Sequence, residues 1–142
     1  MDDHAALIEL LGRYADIADL KNFAELPAQV LTDPVTLDFS SVGDIPAMTM
    51  PLPEYVEILR GSFAPFTATH HVITGHTVEI DGDRATIHAH VRAEHWVPSG
   101  ECWLVVGFYD NEAVRTPQGW RLSTVRLTVA HQQNGHLAPQ AG

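Results

Sequence analysis

Residues 69–96, THHVITGHTVEIDGDRATIHAHVRAEHW, decide how this chain is read. The stretch holds six of the nine histidines and the clearest turn signal, Asp81-Gly82-Asp83. An Asp-Gly pair accepts positive φ at a turn tip, and both flanks alternate apolar and polar residues, so the stretch predicts a β-hairpin. Strand side chains alternate between faces. On the second arm Ala85, Ile87, Ala89, Val91, Ala93, His95 and Val97 therefore share one face, and Thr86, His88, His90, Arg92, Glu94 and Trp96 the other. The first face is the one to bury, and His95 is its one ionisable member. The first arm leaves two arrangements open. Strict alternation groups Val72, Thr74, His76, Val78 and Ile80. A bulge at Gly75 instead puts His71, Ile73, His76 and Val78 on one side. Histidine titrates near neutrality and is the commonest general acid or base, so this hairpin is the first place to look for chemistry.

The chain has 142 residues, enough for one domain with a real core, and a formal charge of −10. Such an acidic balance argues against nucleic acid and anionic membranes as partners. No run approaches the length of a membrane span, and the acidic start, Met1-Asp2-Asp3-His4, is unlike a signal peptide. One cysteine, Cys102, excludes an internal disulfide, suits a reducing cytoplasm, and sits in an apolar strand as a core residue.

Upstream of the hairpin, Leu7, Leu10, Leu11, Tyr14, Ile17 and Ala18 recur at spacings of three and four, predicting a helix from Asp3 to about Leu20 capped by Asp2 or Asp3. Asp16 points away from this stripe, and Asp19 lies at its edge, in the negative end of the helix dipole, which favours a raised pKa. A short helix over Phe23–Val30 and a strand over Val35–Phe39 follow. The apolar loop Ser40–Pro53 is long enough to cover a site. Pro53 opens a third helix that ends near Phe63. Downstream, Glu101–Ala113 and Trp120–His131 read as two further strands. In the second of these, Leu122 and Arg126 share a face with Trp120, while Val125, Leu127 and Val129 take the other. These two strands, from Glu101 and from Trp120, are apolar on both faces, which predicts a homodimer or higher homo-oligomer built on the outer side of the sheet. Residues 1–131 form one domain, and the polar tail 132–142 is expected to be flexible. The predicted architecture is α+β: three N-terminal helices packed on a curved, mostly antiparallel sheet, forming a cone with an internal cavity.

Several blocks, in order, carry a family likeness. They are Arg13-Tyr14-x-Asp16-x-x-Asp19, Phe63-Ala64-Pro65-Phe66, Thr69-His70-His71-Val72-Ile73, Glu79 to Ala85, Ala93-Glu94-His95-Trp96 and Gly119-Trp120-Arg121-Leu122. Together they resemble the SnoaL-like branch of the nuclear-transport-factor-2-like superfamily over roughly residues 5 to 131. Within it the pattern is similar to scytalone dehydratase and hexachlorocyclohexane dehydrochlorinase. The resemblance implies a histidine base at His71, oriented by an aspartate at Asp19, with a second histidine at His95. Ala18 and Phe39 stand where the dehydratase carries substrate-orienting tyrosines, which leaves Tyr14 and Tyr109 as phenol donors. His131 stands where relatives carry an aromatic residue.

These residues admit two kinds of function. In the first, the protein is a cofactor-independent lyase or isomerase acting on a small, apolar, cyclic molecule such as a polyketide or aromatic intermediate. His71 takes a proton, Asp19 orients it, and His95 or Tyr14 donates to a developing oxyanion or departing hydroxyl. Tyr55, Phe39, Tyr109 and Arg126 then contact the substrate. In the second, the same cone binds a small molecule without catalysis, and His71 with Asp19 is a structural pair. His95 reads equally as a core histidine satisfied by a backbone carbonyl. Arg126 is either a cavity cation or a paired structural residue. His88-x-His90 presents two imidazoles on one face but lacks an obvious third ligand, so no metal is assigned.

Overall fold

The hairpin forms in the computed structural model, which describes residues 1–139, as strands β3 (Ala68–Asp81) and β4 (Arg84–Trp96). Two residues of β3 oppose one of β4 between the pairs Thr74–His90 and Thr77–His88, with Gly75 at φ +66°. The bulge, rather than strict alternation, is therefore what the chain adopts. It turns Thr69, His71, Ile73, His76 and Val78 to one side, where they are buried or half-buried. The predicted inner face of β4 is buried from Ala85 through His95.

β4 continues the antiparallel meander into β5 (Cys102–Thr116) and β6 (Gly119–Gln133). Two earlier strands complete the sheet, β1 (Leu31–Asp38), which pairs parallel to β6, and β2 (Met48–Met50), which pairs antiparallel to β1. The order across the curved sheet is β2-β1-β6-β5-β4-β3. β2 falls inside the stretch that the sequence predicts to be loop, because three residues flanked by prolines carry no periodicity.

Three helices flank the sheet: α1 (Asp3–Asp19), the short α2 (Leu26–Gln29) behind a 3-10 turn at Phe23–Glu25, and α3 (Leu52–Phe63). They do not form one N-terminal group, since α3 follows β1 and β2. α1 starts where the Asp2 carboxylate accepts the Ala5 amide at 2.7 Å. It buries Leu7, Leu10, Leu11, Tyr14, Ile17 and Ala18, the predicted stripe. It ends in a Schellman turn: Asn22 N–H bonds the Ile17 carbonyl, Lys21 N–H bonds the Ala18 carbonyl, and Lys21 sits at φ 56°. The Lys21 ammonium then donates to the Phe66 carbonyl at 2.7 Å, tying the end of α1 to the approach to β3.

The structure departs from the sequence reading at three further places. The sequence predicts a flexible tail from Gln132 onward, yet β6 runs to Gln133, a turn spans Gly135–Leu137, and Leu137 and Ala138 pack against the core. Residues 140–142 lie outside the described part. Cys102 is half-buried at a strand end rather than in the core. Arg126 faces away from the interior, because the pairing of β5 with β6 shifts between Glu112–Thr124 and Ala113–Leu122. The bulge moves the inner row of β6 from Trp120 and Leu122 to Val125 and Leu127. Among the described residues no helix is long and apolar enough to cross a membrane.

Candidate active site

The helices and the concave face of the sheet enclose a cavity of about 230 Å³. Its wall is overwhelmingly apolar, with Ile17, Leu37, Phe39, Val91 and Leu127 among the lining side chains. Apart from Ser62, the polar exceptions gather in two groups.

The first group joins the end of α1 to β3. His71 Nδ1 lies 2.6 Å from Asp19 Oδ1. A carboxylate only accepts, so Nδ1 carries the hydrogen, and in the neutral ring Nε2 is the lone pair. The His71 backbone N–H donates to Asp19 Oδ2 at 2.9 Å, and the Thr69 hydroxyl donates to Oδ1 at 3.0 Å. The sequence favours a raised Asp19 pKa, and the structure reverses it. Burial does push the carboxyl upward, but the His71 ring, the His71 amide and the Thr69 hydroxyl outweigh it and hold the pKa below its ordinary value. A helix end supplies only a partial charge, whereas these are three direct donors.

His95 belongs to the same group, in register with Thr69 on one side and Trp103 on the other. Its ring stands edge-on to His71, with centroids 5.5 Å apart. It stacks on the Trp103 indole at 4.2 Å and packs against Phe63 and Phe66. Its Nδ1 lies 2.9 Å from the Trp103 carbonyl. Burial pushes its pKa down to about 4, despite that carbonyl, so the ring is neutral near pH 7. Sequence reasoning does not reach Trp103 and Phe66 as site residues, because a carbonyl acceptor and an aromatic stack leave no mark in a sequence.

The second group is phenolic. The chain's three tyrosines all line the cavity. The Tyr14 and Tyr55 hydroxyls bond each other at 2.8 Å, and Tyr109 meets Tyr14 edge to face at 6.5 Å. Burial raises the pKa of all three, so they are hydrogen donors and not phenolates. Tyr109 makes no hydrogen bond through its hydroxyl to any other described residue.

Of the remaining candidates read from the sequence, Phe39 lines the cavity and Arg126 does not. Arg126 pairs with Asp38 of β1 at 3.4 Å, on the outer side. His131 is exposed. His88 and His90 lie on the outer face around Phe108, and His88 bonds Asp110 at 2.7 Å. No cluster of three His, Cys, Asp or Glu suited to a metal occurs among the described residues.

The sequence pattern of the SnoaL-like domain matches residues 1–126. This chain belongs to the SnoaL-like family. Among solved structures, the Kfla4162 protein from Kribbella flavida is 64% identical, with 95% of each chain covered and a TM-score of 0.93. A candidate scytalone dehydratase from Novosphingobium aromaticivorans DSM 12444 is 16% identical over 92% of this chain and 86% of its own, with a TM-score of 0.81. The hexachlorocyclohexane dehydrochlorinase LinA-type3 from Novosphingobium barchaimii LL02 is 16% identical over 98% and 90%, with a TM-score of 0.74. A curated relative, the uncharacterized protein Rv2910c of Mycobacterium tuberculosis, is 26% identical over 86% of this chain and 82% of its own. At these identities the two Novosphingobium proteins share the fold of this SnoaL-like chain, with a curved sheet closed by helices.

Proposed function

We propose that the cavity carries out lyase or isomerase chemistry by proton transfer on a small, apolar, cyclic molecule, with no step that calls on a cofactor. One observation carries the reading: His71 is held by Asp19 at 2.6 Å through Nδ1, which leaves the Nε2 lone pair for the cavity. Nε2 takes a proton from carbon. The electron pair left behind forms a double bond as a leaving group departs, or moves onto an adjacent carbonyl oxygen. Asp19 fixes the tautomer and stabilises the imidazolium that forms. The tyrosine hydroxyls are the donors for a developing oxyanion or departing group, since they are neutral and face the apolar space. An apolar cavity of roughly 150 Å³ takes up benzene, so this larger one suits a one- or two-ring molecule. The names of two fold relatives, a dehydratase and a dehydrochlorinase, denote eliminations and support the same class.

The test needs no natural substrate. 5-Nitrobenzisoxazole is a neutral bicyclic compound that opens to a coloured nitrophenolate when a base removes its one reactive C–H. The wild-type protein accelerates this opening, and His71→Ala reduces the acceleration by about 10² or more. Equal rates for wild type and His71→Ala, with both folded, reject the base and leave a binding protein.

A further inference from the structure

We propose that His95 is a hydrogen-bond acceptor that reads a hydroxyl on the bound molecule, so the cavity selects neutral ligands carrying a ring hydroxyl. The inference shares its cavity with the proton-transfer reading above and rests on it only for that location.

The Trp103 carbonyl decides the tautomer. A carbonyl oxygen has no hydrogen, so the 2.9 Å contact with His95 Nδ1 fixes the hydrogen on Nδ1. In the neutral ring Nε2 is then a lone pair. The sequence offers His95 as a donor to an oxyanion or leaving group. The one N–H it has is already committed to Trp103, so the structure takes that role away. The low pKa supports the same assignment, because a ring that resists protonation keeps its acceptor.

His95 Nε2 has no partner among the described residues, although the residue is only 4% exposed and lines the cavity. The atom keeps access to the cavity, so a ligand hydroxyl entering there meets a free acceptor, and a ligand that fills the space without a donor leaves that acceptor unpaired. Phe63, Phe66 and Trp103 hold the ring from several sides, which fixes its orientation in the wall.

Charge sets the second half of the selectivity. No Lys or Arg lines the cavity among the described residues. Asp19 already accepts from Thr69 and twice from His71. An anionic ligand would meet the His95 acceptor and no Lys or Arg counter-charge, and the tyrosine hydroxyls alone would offset only part of its desolvation. A neutral hydroxyl meets an acceptor built for it.

Three probes separate these statements: 2-naphthol, 2-methoxynaphthalene and 2-naphthoate, followed by titration against the wild-type protein. The expected order is 2-naphthol tightest, by about tenfold over 2-methoxynaphthalene, as one net hydrogen bond provides, with 2-naphthoate weakest. His95→Phe, which keeps the ring packing, abolishes the preference for 2-naphthol. Because a substitution at a buried position can also disturb folding, nitrogen-15 spectra of histidine-labelled wild-type protein give an independent reading. They should show His95 protonated on Nδ1 and bare on Nε2, with Nε2 shifting on addition of 2-naphthol and not of 2-methoxynaphthalene. Equal affinity for the two neutral probes overturns the proposal. So does the opposite His95 tautomer, or a hydroxyl-dependent shift confined to His71. If 5-nitrobenzisoxazole is not opened but the preference is found, the base fails and the acceptor stands. If it is opened and the preference is missing, the reverse holds.

Discussion

The hydroxyls of Tyr14 in α1 and Tyr55 in α3 meet at 2.8 Å in the cavity wall. This contact joins two helices that are separated in sequence by two strands. Replacing either tyrosine by Phe strands the other hydroxyl, so each single variant should lose about 1–2 kcal/mol of stability. Replacing both removes donor and acceptor together, so the double variant should lose less than the sum of the singles. Chemical denaturation of the four proteins checks this. Additive losses would mean that the contact contributes nothing.

Asp19→Asn keeps the shape of the dyad and removes its charge. An amide at this place no longer favours a hydrogen on Nδ1 of His71 and no longer stabilises imidazolium. The opening of 5-nitrobenzisoxazole should fall by about 10²–10⁴. The same variant should also unfold at lower denaturant, because the amide nitrogen takes the place of one of two oxygens that both accept hydrogen bonds, so rates are compared on protein shown to be folded. A rate within a factor of about two of wild type would remove Asp19 from the mechanism.

Stability should fall with pH in two separate windows. His95 has a folded pKa of about 4 against an ordinary 6.5. The unfolded chain therefore binds a proton that the folded chain refuses, and stability declines as pH drops from 6.5 towards 4. A gap of this size amounts to roughly 3 kcal/mol. Asp19, with its pKa held below 3.8, keeps its contribution above that value and loses it as pH falls further, through the folded pKa. Denaturation curves of wild type and His95→Phe from about pH 7 down to about pH 4 separate the windows. The variant should be flatter across this range, and parallel curves would refute the assignment.

Two glycines should tolerate a methyl group very differently. A Cβ on Gly107 would lie 2.0 Å from the Thr128 carbonyl oxygen, which is backbone and cannot yield without parting β5 from β6. Gly107→Ala should cost at least ~3 kcal/mol. A Cβ on Gly75 would lie 2.9 Å from the edge of the His90 ring, an exposed side chain free to turn. There the main penalty is the positive φ, about 1–2 kcal/mol. Thermal melts of the two variants should rank them in this order.

Much of the site is legible in the sequence because it lies on regular elements. Helical spacing puts Tyr14 in the core and Asp19 at its margin, and strict alternation along β4 puts His95 inside. What escapes the sequence is set by irregularity. The bulge opposite Glu112 and Ala113 reverses the parity of β6 and carries Arg126 out to Asp38. The tautomer of His95 depends on a backbone carbonyl of the neighbouring strand, and no side-chain pattern announces it. The tail beyond Gln132 reads as polar, yet the Gln132 amide accepts the Trp103 indole N–H at 2.8 Å and donates to the Val42 carbonyl at 3.1 Å. A polar side chain with two fixed partners is structural, although it counts as loop composition.

The bulge at Gly75 has a consequence for reading related sequences. With it, His71 stands opposite Ala93 and Thr69 opposite His95. Were the same residues drawn into an unbroken ladder from the turn, every pairing above the bulge would slip by one. Val72 would then face Ala93, and His70 would face His95. A chain lacking one residue at the bulge would keep its base in place, whereas a full-length strand without the bulge would exchange it for a valine while every letter of the motif survived. Whether a homologue retains this chemistry is therefore a question of gap placement: the distance from the paired histidines to the Asp81-Gly82 turn must be counted before the histidines themselves are compared.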